Sequence, residues 1–342
     1  MSMGRPVASA TGRPSVHLTL SEHMIRYTLR LLLNLLFAAF VGSVAVFSLV
    51  NLLGGDIVTV LLGQEAAPVD VQFMREELGL DRSLFVQYFD WLWGVVTGDL
   101  GTSYGMGYDI FDEIVRRIEP TLMITIGALI VSVPLSLALG TYSAINSKKV
   151  RGAVVDVVTQ IGIAIPTFWA GLLLVLFFAV RLGWLPTGGY VPLTEDPLAC
   201  LRSITLPVLA LSLGVTSVFT RYVRTSMIDV MNEDFVRSAM ARGRSRRGAA
   251  LVHGVRNASI PLVTVAALQF GQLIAGAVVV ENVFVLPGIG RLIVTATLGR
   301  EVIVVQSLAL VIMLVILILN FFVDIAYGFL DPRIRDKADA DV

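Results

Sequence analysis

The chain has 342 residues, of which 56% are hydrophobic and only 15% are charged, against about 45–50% and 25% in ordinary soluble domains. This composition indicates a membrane protein and excludes a disordered chain, a disulfide scaffold and a cytosolic enzyme. The 26 basic and 26 acidic residues balance, so the charge suggests no nucleic-acid partner. Cys200 is the only cysteine, which excludes an intrachain disulfide and a cysteine-rich metal site.

Six long runs contain no Asp, Glu, Lys or Arg, and each approaches the length that a helix needs to cross a membrane, about 20 residues. The runs cover residues 31–53, 120–146, 157–180, 203–220, 257–280 and 302–323. The shortest of them, 203–220, contains Pro207. The sequence therefore predicts an all-α polytopic membrane protein with six transmembrane helices and a membrane-embedded core over 120–323. Residues 1–20, rich in Ser, Gly and Pro, are predicted to be disordered.

The distribution of basic residues predicts the orientation in the cell membrane. With a cytoplasmic N-terminus, the inside segments 1–30, 147–156, 221–256 and 324–342 contain 18 Lys and Arg, and the outside segments contain 8. The positive-inside rule favours this arrangement. Both termini are therefore expected in the cytoplasm.

The predicted external segment 54–119 is acidic and long enough to fold, with 12 Asp and Glu. Residues 68–78 are typical of a short helix that stops at Gly79, and residues 109–119 of another that ends as Pro120 begins the second span. Between them, apolar side chains recur at helical spacing: Phe85, Tyr88, Phe89, Leu92 and Val95. This stripe predicts an amphipathic helix at the outer interface, serving as a small core or membrane anchor, or alternatively touching the transported solute.

Several catalytic and energy-coupling motifs are absent from the sequence. It contains no phosphate-binding loop, no H-E-x-x-H and no G-x-S-x-G, and its three histidines lie outside the apolar runs. The runs also lack the ionisable groups that proton-driven transporters keep in the membrane, although sodium coupling through backbone carbonyls stays open. No enzymatic activity and no metal site are expected, and the energy source is expected on a partner.

The predicted cytoplasmic segment 221–256 is far longer than a hairpin between two spans requires, which indicates a docking element. Residues 233–243 resemble the EAA loop of ABC importer permeases, in which Ala239 and Gly243 match and the leading Glu-Ala pair does not. Residues 253–261 are similar to the loop end of the dipeptide and oligopeptide permeases. The resemblance implies an ATPase-coupling site with these residues: Glu233, Asp234, Arg237, Ser238, Ala239, Arg242, Gly243 and Arg244.

The residue types in this loop support the same interpretation. Ala239 and Gly243 lie four apart, so on a helix they would share one face that another protein can approach closely, and Gly243 permits a helix end with positive φ. Arg244, Arg246 and Arg247 follow. They either reflect the positive-inside rule and lipid contact, or contact an acidic rim of an ATPase.

The resemblance extends over about residues 24–335. It includes the segments 78–104, 165–169, 278–290 and 331–335, with departures at 52–56 and 300–303. It implies the six-helix fold of type I ABC importer permeases, a second homologous permease, two ATPase subunits that hold ATP and Mg, and an external solute-binding protein. The implied substrates are dipeptides and oligopeptides; nickel, glutathione or another small solute is the alternative within the family. A secondary transporter and a membrane scaffold are alternatives outside it.

Polar and small residues interrupt the fifth run at Thr264, Gln269, Gln272 and Gly276. Gln269 and Gln272 could share a face, with Gly276 four residues further on. One interpretation is that the glycine packs helices and the glutamines bond to neighbouring helices. The other is a neutral, weakly polar translocation path that suits solutes of varied charge.

Overall fold

The structure of the chain, a computed structural model, describes residues 20–53, 58, 62–63, 66–234, 241, 243, 248 and 255–330. Within these residues the fold is helical, with no β-strand and one antiparallel bridge between Thr102 and Asp109. In chain order the helices are α1 Leu20–Leu53, α2 Pro68–Glu77, α3 Leu84–Thr97, α4 Ile110–Ile145, α5 Val150–Ala164, α6 Thr167–Leu174 with a π-helical continuation Val175–Arg181, α7 Pro197–Asn232, α8 Val255–Val283, α9 Ile289–Leu298 and α10 Val302–Leu330.

Helix α7 is the centre of the bundle, packing against α4, α5, α6 and α8. Its buried face includes Leu206, Phe219 and Met227, all at most 1% exposed. Helices α1 and α10 pack against each other. A second apolar cluster joins the start of α4 to α9 and α10 through Ile110, Leu292 and Leu308.

Four described helices are long and apolar enough to span a membrane: α1, α4, α7 and α10. The pair α5 and α6 would be a fifth span, and α8 coincides with the predicted run 257–280. The prediction of a multi-span helical protein is therefore confirmed, while the count of six remains a prediction.

The run 157–180, which is predicted as one span, is bent in the structure. Helices α5 and α6 meet at 101°, with Ile165 in an extended conformation directly before Pro166. A proline disfavours helical φ and ψ in the residue before it, which explains the break.

The predicted helix boundary at Pro120 is wrong. Helix α4 runs without interruption from Ile110 to Ile145, with Pro120 and Pro134 inside it. Asp109 starts the helix by accepting a hydrogen bond from the backbone N–H of Asp112 at 3.0 Å. A proline removes one intrahelical hydrogen bond, and the packing of α4 on α7 compensates for that loss here.

Helices α2 and α3 form where the sequence predicts them, but the buried face of α3 differs from the predicted one. Helix α2 is followed by Gly79 at φ +66°, as expected. On α3, Tyr88 is buried and its hydroxyl lies 2.8 Å from Ser43 Oγ of α1, whereas Phe85 and Phe89 are exposed. The predicted stripe is therefore only partly the packed face, because α3 carries apolar side chains on two sides.

Candidate functional site

The end of α7 that leads into the predicted coupling loop is fixed to two other helices. Arg224 Nε donates to Asp156 Oδ1 at 2.9 Å and to Ser143 Oγ at 3.0 Å, and Ser143 Oγ donates to the same carboxylate oxygen at 2.6 Å. These three residues, from α7, α5 and α4, form what we call the Arg224 clamp. The Arg224 clamp therefore holds α7 against the two helices that flank the turn between α4 and α5.

Only part of the predicted coupling loop lies within the described residues. Glu233 follows α7 in an extended conformation, with its N–H donating to the carbonyl of Val230 at 3.2 Å. Asp234 is exposed. Arg237, Ser238, Ala239, Arg242 and Arg244 lie outside the described residues. The structure therefore places the start of the loop directly after α7, nine residues beyond Arg224. The roles of the loop residues stay predictions.

Gly243 has the positive φ expected of it, at +88°. Among the described residues, a Cβ atom at this position would meet nothing within 4 Å. The requirement for glycine within this chain is therefore conformational, since side chains rarely adopt this backbone conformation. Close packing at Gly243 stays a prediction about a partner protein.

The predicted path residues on α8 do not share one environment. Gly276 faces α7, where a Cβ atom would lie 2.7 Å from Leu211 Cδ1, so this glycine allows two helices to pack closely. Gln269 is half-buried and Gln272 is exposed. The side chain of Thr264 lies outside the described part of the chain. The packing interpretation therefore applies to Gly276, and Gln272 remains a path candidate.

Gln272 belongs to an exposed strip of α8. Ala275, Val279 and Asn282 follow it at spacings of three, four and three residues, and all four are exposed. These spacings place the residues on one side of a helix. The other side, including Leu273, Ala277 and Val280, is buried. The exposed strip is neutral and weakly polar, which is the chemistry predicted for a path.

If this strip faces the path, a charged residue in place of Gln272 should make the uptake of a peptide depend on the charge of that peptide. Gln272→Arg should insert into the membrane, because an arginine that faces water avoids the cost of about 2.5–3.5 kcal/mol at a lipid-facing position. Uptake of cationic peptides should then fall more than uptake of anionic ones, and Gln272→Glu should reverse the preference. Equal losses for both peptide classes, or loss of membrane insertion, would exclude Gln272 from the path.

Sequence reasoning missed a buried carboxylate that organises the other end of α8. Glu281 is fully buried; its Oε1 accepts from Thr121 Oγ1 at 2.6 Å, and its Oε2 accepts from the N–H of Arg291 at 2.9 Å. Thr121 Oγ1 in turn accepts from the N–H of Ile289 at 3.0 Å. We call this network the Glu281 hub. It joins α8 to α4 and to the first turn of α9.

Two glycines give the Glu281 hub its space. A Cβ atom at Gly288 would overlap the Glu281 carboxylate, and one at Gly290 would overlap the backbone of Val278. The sequence signal was an acid directly after an apolar run, followed by a turn with two glycines. It was missed as a site because the run ends at Val280, one residue before the acid.

The loop between α6 and α7 is attached to the same region. Tyr190 donates its hydroxyl proton to Glu119 Oε1 at 2.8 Å, and the N–H of Gly189 donates to the carbonyl of Phe284 at 2.9 Å. Burial and the hydrogen bond to Glu119 raise the pKa of Tyr190 well above its usual range. Tyr190 therefore stays a hydrogen-bond donor at all physiological pH values, and the loop remains tied to α4 and α8.

Two family models together cover most of the chain. Residues 136–336 match the binding-protein-dependent transport system inner membrane component, and residues 24–125 match the N-terminal part of the same type of membrane component. The chain belongs to this permease family. The first model contains the Arg224 clamp, the predicted coupling loop and Glu281, and the second contains α2 and α3.

Two groups of relatives resemble the permease over nearly its whole length. A putative peptide transport system permease protein of Brucella abortus (strain 2308) is 36% identical over 293 residues, covering 86% of this chain and 93% of the relative. The glutathione transport system permease protein GsiC of Escherichia coli O6:H1 is 38% identical over 314 residues, covering 92% of this chain and all of the relative. The resemblance to ABC importer permeases is therefore confirmed, and the chain is a multi-pass membrane subunit of such an importer.

Proposed function

We propose that this permease forms, together with a second homologous permease, the path by which short peptides enter the cell. An external solute-binding protein delivers the peptide, and two partner ATPase subunits bind ATP and Mg and supply the energy. The chain itself carries no catalytic group on this proposal. Its similarity to a peptide permease and to a glutathione permease over at least 86% of its length supports this function.

The Arg224 clamp suggests how conformational changes driven by ATP hydrolysis on a partner would be transmitted to the membrane helices. The coupling loop begins directly after α7, and the Arg224 clamp fixes the end of α7 to α4 and α5. Closure of the ATPases would move the two coupling loops of the permease pair together, and the clamped helices would follow as rigid elements. The path would open outward, and ATP hydrolysis would reset it.

The proposal includes the orientation in the membrane. One side carries 18 Lys and Arg and the other carries 8, and this asymmetry supports cytoplasmic termini and a cytoplasmic coupling loop. The Glu281 hub and α3 would then lie at the outer face, where the binding protein docks.

Glutathione is the second candidate solute, because GsiC is 38% identical to this chain over the full length of GsiC. Glutathione is itself a tripeptide, so the same neutral strip of α8 could accommodate it. Nickel or another small solute would require the same partners, and a secondary transporter would require none of them.

Uptake by the reconstituted transporter tests this function. Proteoliposomes that contain both permeases and both ATPases, with the binding protein outside, should accumulate labelled trialanine only when ATP is present inside. Replacement of the phosphate-loop lysine in the ATPases is the matched control and should abolish uptake. Competition by unlabelled glutathione would identify the second solute. Uptake that needs a sodium gradient and no ATP would contradict the proposal.

A further inference from the structure

A cavity of about 740 Å³ lies where α1, the external helices α2 and α3, and α10 meet. Its apolar wall includes Phe47 and Val50 near the end of α1 and Val302 and Ile303 in the first turn of α10. This volume falls within the range of small-molecule binding sites, about 300–1,000 Å³. The cavity is on the side of the protein opposite to the Arg224 clamp, and none of the proposed steps uses it.

The two sides of α3 indicate that the cavity faces water rather than lipid. Leu84, Gln87, Asp90, Trp91 and Gly94 line it. On the far side of the same helix lies an exposed apolar stripe formed by Phe85, Phe89, Trp93 and Val96. At 100° per residue the two sets point in nearly opposite directions. If the apolar stripe contacts the membrane surface, the cavity opens toward the external solution, so a soluble ligand fits better than a lipid tail.

Charged groups of both signs line the cavity. Arg82 and Asp90 form an ion pair at 3.1 Å, and both side chains are more than half exposed, so water or a ligand can reach them. Glu77 and Asp99 add carboxylates. A partly exposed ion pair contributes little to stability, so each partner can exchange its contact for a ligand group at small cost. This arrangement fits a ligand that itself carries one positive and one negative end.

Two polar side chains in the cavity wall are available for hydrogen bonding. Trp91 Nε1 is buried and has no hydrogen-bond partner within the described residues. The side chain of Gln306 lines the cavity and is only 5% exposed. A buried donor without an acceptor is unfavourable, and an acceptor on a ligand would relieve this cost. Peptide carbonyl and carboxylate oxygens are such acceptors.

We propose that this cavity is a second peptide-binding site on the outer face of the permease. Arg82 binds the terminal carboxylate of a short peptide, Asp90 and Asp99 bind its terminal ammonium group, and Phe47 and Trp91 contact its apolar side chains. The inference rests on the proposed function for its substrate class. At this site the permease itself would bind peptide outside the translocation path.

Equilibrium binding to the full transporter tests the site directly. The complex is placed in phosphatidylcholine nanodiscs without binding protein or nucleotide, and binding of radiolabelled trialanine is compared with binding of trialanine amide, which lacks the terminal carboxylate. Wild type should prefer the free acid by about three- to tenfold, the effect of one charge-assisted hydrogen bond in a partly exposed site. Arg82→Gln should remove the preference. Arg116→Gln, which replaces an exposed arginine of α4 outside the cavity, is the matched control and should keep it.

The remaining outcomes separate this inference from the proposed function. Retention of the preference in Arg82→Gln, or its equal loss in Arg116→Gln, would overturn the site. Displacement of trialanine when phosphatidylglycerol replaces phosphatidylcholine would also overturn it, because the cavity would then bind a lipid headgroup. Uptake with binding protein and ATP is measured on the same preparations. Normal uptake without cavity binding would refute this inference alone, whereas failure of wild-type uptake would refute the proposed function.

Discussion

Replacing Glu281 with alanine should strongly destabilise the permease. The substitution leaves Thr121 Oγ1 and the N–H of Arg291 without their acceptor in a fully buried site. Each unsatisfied buried group costs about 1–3 kcal/mol, and the missing side-chain atoms add a cavity cost. A loss of about 3–5 kcal/mol is a large part of the stability of an ordinary domain. The contacts between α4, α8 and α9 should therefore weaken together.

Thermal stability in detergent measures this effect, read as the fraction of protein that stays monodisperse after heating. Glu281→Gln should be intermediate, because the amide keeps one oxygen acceptor and replaces the other with a donor. Gly288→Ala should also destabilise, since its Cβ atom would overlap the carboxylate. Asn282→Ala is the matched control: that side chain is exposed and bonds only to Val278 of its own helix. A Glu281→Ala protein as stable as Asn282→Ala would show that the Glu281 hub does not hold these helices.

Hydropathy predicted where the main helices lie but not how long they are. The run 203–220 ends at Arg221, yet α7 continues to Asn232. A charged residue marks the point where a helix can emerge from the lipid. It does not terminate the helix. The additional turns carry Arg224, so the part of the helix that sequence analysis assigned to a loop holds the clamp.

Proline had opposite consequences at two positions that look alike in sequence. Pro120 is accommodated inside α4, and Pro166 separates α5 from α6. Tertiary packing decides between these outcomes. Pro120 is buried in a helix that packs along α7, whereas Ile165 adopts the extended conformation that a following proline favours. A single sequence shows where the proline is but not which tertiary contacts surround it, so these two outcomes could not be predicted.

The candidate site was predictable only where its residues are neighbours in sequence. The positive φ of Gly243 followed from residue type and loop context, and the structure confirms it. The Arg224 clamp joins residues 143, 156 and 224, and the Glu281 hub joins residues 121, 281 and 289, so neither forms a local motif. Such networks depend on which helices pack together, and hydropathy alone does not determine this.

Reversing the charge of Asp156 should uncouple transport from ATP hydrolysis on the proposed function. Asp156→Arg places two guanidinium groups at the end of α7 and removes the acceptor of Ser143. Repulsion in this half-exposed site should separate α7 from the turn between α4 and α5, so the coupling loop would move without these helices. Substitutions in elements that link two sites change coupling by about 0.5–2 kcal/mol, which corresponds to a loss of uptake of about two- to thirtyfold.

The reversed pair distinguishes a coupling role from simple destabilisation. Asp156→Arg combined with Arg224→Asp restores opposite charges and should recover a substantial part of the uptake, which a double-mutant cycle would quantify. Arg221→Asp is the matched control for Arg224→Asp, since it makes the same charge change on an exposed residue of the same helix, one turn earlier. Uptake and ATP hydrolysis are measured per assembled complex, and the ratio of the two should fall in each single variant at the clamp. An unchanged ratio with less assembled complex would mean that the Arg224 clamp stabilises the fold and plays no part in coupling.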